Sequence, residues 1–359
     1  MISAAVLRRR LRAQRLVASR ERSARDVVHH LGAVQAQDFA GASWAVAQRL
    51  VPSAAGDVAT AFASGAIVRT HVMRPTWHLV AGTDLRWLQQ LTAPRVRQLC
   101  AYYDRKCGLD AKAFARTRAV FERELAGVHR TRAELVAALA RANIAATGQR
   151  LVQILIRAEL DAVICSGALR GKQHTYALVA DRVPAATLDR EPALVELARR
   201  FFASHGPATV ADFAWWSGLT VTDCRLAVAL AGHAIVEERL DGTSYLVIAD
   251  DAGSIARPRT PIAHVLANFD EYLVAYVDRV ELVDDRVRAR PVGRAGIIFS
   301  NALIIDGRVV GTWKRAKTGI SSTLSIKPSA AERAALAVAT ARFIEVSNNG
   351  TSSREASRE

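Results

Sequence analysis

Along this chain, apolar residues recur at three- and four-residue intervals in pairs of short stretches, and after each pair the spacing changes to alternation. The first spacing places one apolar stripe on a helix, the second one apolar face on a strand. SARDVVHHLGAV, TRAELVAALARAN and TVADFAWWSGLT each begin with a hydroxyl residue (Ser23, Thr131, Thr209) and carry an acid three positions on (Asp26, Glu134, Asp212). Such a hydroxyl caps the first free amides and the acid lies where the helix dipole favours it, so each stretch is read as a helix start. Second helices are predicted over about 40–49, 147–160 and 220–231.

Ribbons are predicted at 66–80, 160–179 and 233–248, with Gly171 at the turn of the second and Asp241-Gly242 at that of the third. Helix, helix, hairpin is the order of a winged helix, a helix-turn-helix variant with a β-wing. Its threefold recurrence argues for a repeat architecture. Beyond it, 260–279 and 295–326 read as strands joined by turns, Asp306-Gly307 being a hairpin, and a helix is predicted from Ser329 to Val346. The predicted fold is α+β: three tandem winged-helix modules followed by a small C-terminal β-barrel-like domain. The modules span 1–105, 106–186 and 187–256, the barrel-like domain with its helix 257–346, and a disordered tail 347–359. An amphipathic helix from Ala4 to Leu16, with a basic outer face, opens the first module.

With 359 residues, 50% hydrophobic and 23% charged, the chain can bury several cores. A net charge of +15 points to a polyanionic partner, most simply nucleic acid. Only six of the 49 basic residues are lysine, however, a bias that genome base composition alone can produce. Cys100, Cys107, Cys165 and Cys224 form no CxxC pair, and no HExxH occurs, so reduced thiols, no metal and no cofactor are expected. No apolar run reaches the length of a membrane span and no signal peptide is evident. A cytoplasmic, nucleoid-associated monomer is expected.

In the ribbon RTHVMRPTWHLV, alternation sets Arg74, Thr76 and His78 on one face, with Trp77 and Leu79 on the other. The polar face either lies in a DNA groove or is a solvated wing surface. ALRGKQH, with Lys172, and GTWKR, with Lys314 and Arg315, place basic groups near turns where they could meet phosphate. In FAWWSGL, Trp215 and Trp216 leave a helix about 100° apart, so one is expected in the core and the other outside. Asp270 and Glu271 fall in a strand-like run that would send them to opposite faces, which favours structural hydrogen bonds over acid/base work.

The unusual local feature is Gln35 and Gln37, flanking one alanine just before a predicted helix. In extended backbone they share a face. A neutral amide cannot act as an ordinary general base, but it can accept a hydrogen bond from water and turn its dipole towards positive charge. That suffices where the leaving group is already cationic, as in N7-alkylguanine, whose departure passes through an oxocarbenium-like sugar. Two solvated loop glutamines would give the same pattern.

The chain resembles the AlkZ/YcaQ-type winged-helix DNA glycosylases in VQAQDF (34–39), MRPTWHLV (73–80), ADFAWWSGL (211–219), FDEYLVAYVDR (269–279) and DGRVVGTWKR (306–315). The resemblance implies tandem winged helices and a C-terminal β-barrel enclosing a concave DNA site. The implied reaction is hydrolysis of the N-glycosidic bond of N7-alkylguanine, extending to the unhooking of interstrand crosslinks. QAQ matches the family's QxQ motif, so Gln35 and Gln37 are the implied catalytic pair. A QxD branch differs here, and the QxQ branch is often tied to self-resistance against DNA-alkylating natural products. Arg74, Thr76 and His78 would then touch DNA beside the lesion, and Lys172, Lys314 and Arg315 its phosphates. The alternative is a winged-helix regulator without catalysis, which should show a strong specificity ratio for one operator.

Overall fold

The computed structural model describes residues 2–19, 21–54, 56–251, 258–288, 300–316 and 319–355. An opening helix, α1 (Ala4–Ala13), precedes three units built on one plan. The first unit runs α2 (Ala24–Leu31), β1 (Val34–Gln35), α3 (Phe39–Ala47), α4 (Asp57–Ser64), then the hairpin β2 (Ile67–Val72) and β3 (Arg74–Ala81). A 22-residue helix, α5 (Leu85–Lys106), leads to the second unit. That unit is α6 (Ala111–Leu125), β4 (Arg130–Thr131), α7 (Arg132–Arg141), α8 (Gly148–Leu160), β5 (Ile164–Ser166) and β6 (Thr175–Leu178), followed by the short α9 (Val179–Arg182). The third unit is α10 (Arg190–His205), α11 (Val210–Ser217), α12 (Val221–Ala231), β7 (Ile235–Leu240) and β8 (Thr243–Ile248).

In each unit the extended residues between the first and second helices pair with the last strand of the hairpin. The sheet orders are β1-β3-β2 and β4-β6-β5, and in the third unit Ala208 bridges Leu246 of β8. This sets the register of the repeat and corrects the sequence reading of the first unit. Thr131 and Thr209 cap second helices, each in a complete capping box, whereas Ser23 caps a first helix. Their counterpart is Asp38, whose Oδ1 accepts the Gly41 N–H at 3.1 Å. Helix α4, unexpected from the sequence, completes the trio. The first unit is therefore three helices and a hairpin, and Gln35 occupies its inter-helix strand.

The C-terminal part corrects the barrel expectation. Among the described residues, β9 (Ala263–Leu266), β10 (Ala302–Ile305), β11 (Arg308–Ala316) and β12 (Gly319–Leu324) form an open antiparallel sheet in the order β12-β11-β10-β9. The sheet covers itself with other elements instead of closing: Phe343 of the terminal helix lies 4.8 Å from Trp313 and 5.0 Å from Trp44 of α3, ring centre to ring centre. Residues 269–279, expected as strand, hold a turn and the short helix α13 (Glu271–Val274), because Phe269 adopts a φ of 65° and Asp270 caps the Tyr272 N–H at 2.9 Å. A further one-turn helix, α14 (Asp285–Arg288), precedes β10. The strand expected to begin at 295 lies partly outside the described residues. The terminal helix, α15 (Ala330–Glu355), continues through 347–355, where a disordered tail was expected; no proline interrupts the chain after Pro328.

The buried clusters cross the units. One core joins residues of α2, α3 and α4 with the C-terminal sheet and Phe343, and a second joins the first hairpin and α5 with the third unit. The second unit has a core largely its own, built on Phe121, Leu135 and Ile154. Helix α1 departs from the expected basic outer face: Arg9 and Arg10 are buried, Arg9 pairs with Glu238 at 2.6 Å, and Arg10 lies 3.7 Å over the Tyr276 ring. Some of the positive charge is thus held inside the protein. Among the described residues no helix is long and apolar enough to cross a membrane.

Candidate active site

Helix α2 ends at Gly32, whose φ of 78° turns the chain, and Asp38 starts α3, so the residues between are held extended. Val34 and Ala36 are fully buried, Gln35 is 9% exposed and Gln37 is exposed, the alternation of a strand resting on the core. Gln35 stands opposite His78 of β3, and the Ala36 N–H reaches the Trp77 carbonyl at 2.7 Å. Both amide side chains are held by neighbours. Gln35 Oε1 accepts Arg74 Nη2 at 3.1 Å, and Gln37 Oε1 accepts the Trp77 N–H at 2.8 Å. Each carbonyl keeps a second lone pair for a further donor.

Arg74 spans the site. Its Nη1 reaches the Trp215 carbonyl at 3.4 Å, and Nη2 lies 3.4 Å from His78 Nε2. His78 Nδ1 is 3.0 Å from the Thr76 carbonyl, which can only accept, while a guanidinium can only donate. The ring must therefore be neutral with its proton on Nδ1, and burial, followed by the Arg74 charge, pushes its pKa down to about 3. Expected beside DNA, His78 is instead fully buried and contacts Arg74. The Oγ1 of Thr76 and the Nε of Arg74 are buried without a hydrogen-bond partner. Nor is the hairpin tip a free wing: Met73, with a φ of 63°, donates its N–H to Thr92 Oγ1 at 3.0 Å, and a Cβ on Gly218 would stand 2.2 Å from the Met73 carbonyl.

Behind the strand lies Glu271, fully buried. One carboxylate oxygen accepts the Gln35 N–H at 2.7 Å and the other the Trp216 indole N–H at 2.8 Å, with His205 Nε2 at 3.6 Å. Burial by itself would raise the pKa, but His205, the Gln35 amide and the Arg74 charge outweigh it and hold the carboxyl below its ordinary range. A fixed negative charge thus stands directly behind Gln35. Its neighbour Asp270 binds Arg49, which is wholly buried and donates to Asp270 at 2.8 and 2.9 Å, to the Gln14 side chain and carbonyl at 2.9 Å each, and to the Ala45 carbonyl at 2.7 Å. The structural role expected for the two acids is realised: Asp270 meets an arginine, Glu271 a backbone amide and an indole. Two acids in the apolar run NFDEYLVAYV were the available signal, since a carboxylate in such a run must be partnered. Trp216 is the core tryptophan and Trp215 the exposed one, as expected.

Lys172, Lys314 and Arg315 lie elsewhere. Lys172 is exposed at the tip of the β5–β6 hairpin, whose His174 ring meets Phe39 at 4.8 Å, so this hairpin reaches the start of α3. Lys314 and Arg315 are exposed on β11, opposite Ser321 and Ile320. No hydrogen bond joins these three to Gln35 or Gln37 among the described residues. Also among the described residues, no three His, Cys, Asp or Glu side chains gather as metal ligands would.

Four stretches far apart in the chain, around Gln35, Arg74, Trp216 and Glu271, therefore meet at one point. A fifth, around Gly307, joins through the Tyr272 hydroxyl, which donates to the Gly307 carbonyl at 2.9 Å. The family model "DNA glycosylase AlkZ-like" matches residues 28–346, a span that contains all five. The chain belongs to the AlkZ-like DNA glycosylase family. Within the AlkZ-like proteins it is 28% identical, over 318 residues covering 85% of each chain, to the "interstrand DNA cross-link repair glycosylase" of Streptomyces sahachiroi. Its fold matches the solved structure of Streptomyces sahachiroi DNA glycosylase AlkZ with a TM-score of 0.79 at 23% identity, over 97% of this chain and 98% of that one.

Proposed function

We propose that this protein is a monofunctional DNA glycosylase that hydrolyses the N-glycosidic bond of N7-alkylguanine-type cationic adducts in double-stranded DNA, interstrand crosslinks included. The observation that carries the reading is the pair of neutral amides held by Arg74 and the Trp77 N–H in front of the buried Glu271 carboxylate. As the C1′–N9 bond breaks, its electron pair neutralises the charged purine, so no acid is needed to protonate the leaving group. The sugar becomes an oxocarbenium ion, which the carbonyl dipoles and the fixed carboxylate favour in a site of low dielectric. A water held by the free carbonyl lone pairs adds to C1′ and releases its proton to solvent. Asp38, the nearest ionisable residue in the chain, has Oδ1 engaged as the cap of α3. The family membership supports the reaction class, and the name of the relative from Streptomyces sahachiroi supports crosslinks as substrates.

The three helix–strand–helix–helix–hairpin units are read as tandem winged helices. Thr76 and Arg74 sit beside the lesion, and Lys172, Lys314 and Arg315 bind phosphate on other sheets. The decisive experiment incubates the protein with duplex carrying one N7-methylguanine and looks for the free base by mass. Release of base supports the reading; binding without release supports a regulator. Arg74→Ala tests the arrangement within the site. It is expected to slow base release about tenfold or more through loss of Gln35 orientation, while the slope of log K against log salt stays unchanged. A slope shallower by about one unit would place this guanidinium on a phosphate instead.

A further inference from the structure

Trp215 differs from the other tryptophans of the chain. Of the six, all of them described, it is the exposed one, at 44%. An exposed indole usually swings to bury itself, yet this ring is fixed on two sides. Its Nε1–H donates to the Val274 carbonyl at 2.9 Å, and the Arg279 guanidinium lies 5.0 Å from the ring centre. Trp77, by comparison, has its ring taken up by Arg69 at 4.1 Å and His71 at 4.7 Å. The chain also exposes Val277, at 54%, whose N–H donates to Asp212 Oδ1 at 2.9 Å. The shelf is contiguous with the site, because a single guanidinium, that of Arg74, touches both the Trp215 carbonyl and Gln35 Oε1.

We propose that the Trp215 indole is a stacking shelf for a nucleobase displaced from the duplex at the lesion. A rigid aromatic face is what an unstacked base requires: the ring supplies a sequence-tolerant π-surface, with the Arg279 guanidinium held over it and Arg74 tying the Trp215 backbone to the site. Because the indole is already held, little side-chain freedom is lost on stacking. The shelf gives the enzyme a place to set an unstacked base, the step that glycosylases use to reach the sugar.

The inference rests on the glycosylase reading only for what the displaced base has to do with catalysis, so its test has one arm without chemistry. Duplex bearing a 2-aminopurine in a mismatch is titrated with the wild-type protein, Trp215→Ala and Trp215→Phe. Stacking on the indole quenches the fluorophore, and Trp215→Ala is expected to abolish the quenching and weaken binding about 10- to 100-fold, while Trp215→Phe, which keeps a ring, retains most of both. Release of N7-methylguanine should follow the same order. Quenching and affinity in Trp215→Ala equal to wild type overturn the proposal. So does a loss confined to adducts that carry an aromatic substituent, which would put the drug-derived group on the shelf instead of a base. If Trp215→Ala fails to fold, quenching lost to the same extent in a folded Trp215→Leu decides for the shelf, and quenching retained decides against it. Should the wild type release no base at all, the glycosylase reading fails while the fluorescence arm still reports on the shelf.

Discussion

Replacing Gln35 or Gln37 by alanine is expected to slow release of N7-methylguanine from duplex DNA by about 10²–10³ in each case, the effect of removing one preorganised dipole from a developing charge. The structure separates this loss from a loss of folding. Gln37 is exposed and its side-chain carbonyl accepts the Trp77 N–H, so its removal costs about 1 kcal/mol of stability at most. In Gln35→Ala the backbone N–H still meets Glu271, so strand β1 stays in place. If both amides hold the same water, the double variant should be little slower than either single one, because groups that act as a unit are not additive. Single-turnover rates unchanged in both single variants would remove the pair from the mechanism.

The second large effect concerns stability. Asp270→Ala leaves the Arg49 guanidinium, fully buried, without the carboxylate that binds two of its nitrogens. Breaking a buried pair by removing one partner costs about 3–5 kcal/mol. The Tyr272 N–H and the Gln48 side-chain amide lose an acceptor at the same time. The midpoint of denaturant unfolding should fall accordingly, and a shift worth less than about 1 kcal/mol would mean that water or a rearranged Gln14 takes over the role of Asp270. Exchanging Arg49 and Asp270 together for leucine and asparagine should recover part of the loss, since the uncompensated charge is then gone.

What could be read from the sequence was local. The Thr131 and Thr209 boxes, the Asp241-Gly242 and Asp306-Gly307 turns and the pairing of helices with hairpins depend on residues within a few positions of one another, and each appears in the fold. The two residues of β1 are too short a strand to show a period, and helix α4 follows Gly56, which has no side chain to cap and announce it. That is why the first unit was read out of register. The barrel expectation failed for another reason: alternation identifies strands but not whether a sheet closes on itself or is covered by Trp44 and Phe343. At the site, the glutamines were visible as an odd pair, while the charge behind them was not. Glu271 lies 236 residues from Gln35, and no spacing rule links them.

That separation has a consequence for how the protein comes into being. The bond between Gln35 and Glu271 and the core shared by α2, α3, α4 and the C-terminal sheet both need residues made long after the glutamines. At a translation rate of about 5–20 residues per second, the glutamines leave the ribosome roughly 10–50 s before their carboxylate does. During that interval the nascent chain carries two amides without their carboxylate and a core still lacking the C-terminal sheet, while the second unit already has the residues of its own core. The arrangement around Gln35 is therefore complete only once Glu271 has been made, and a fragment that stops short of it lacks the carboxylate behind the strand.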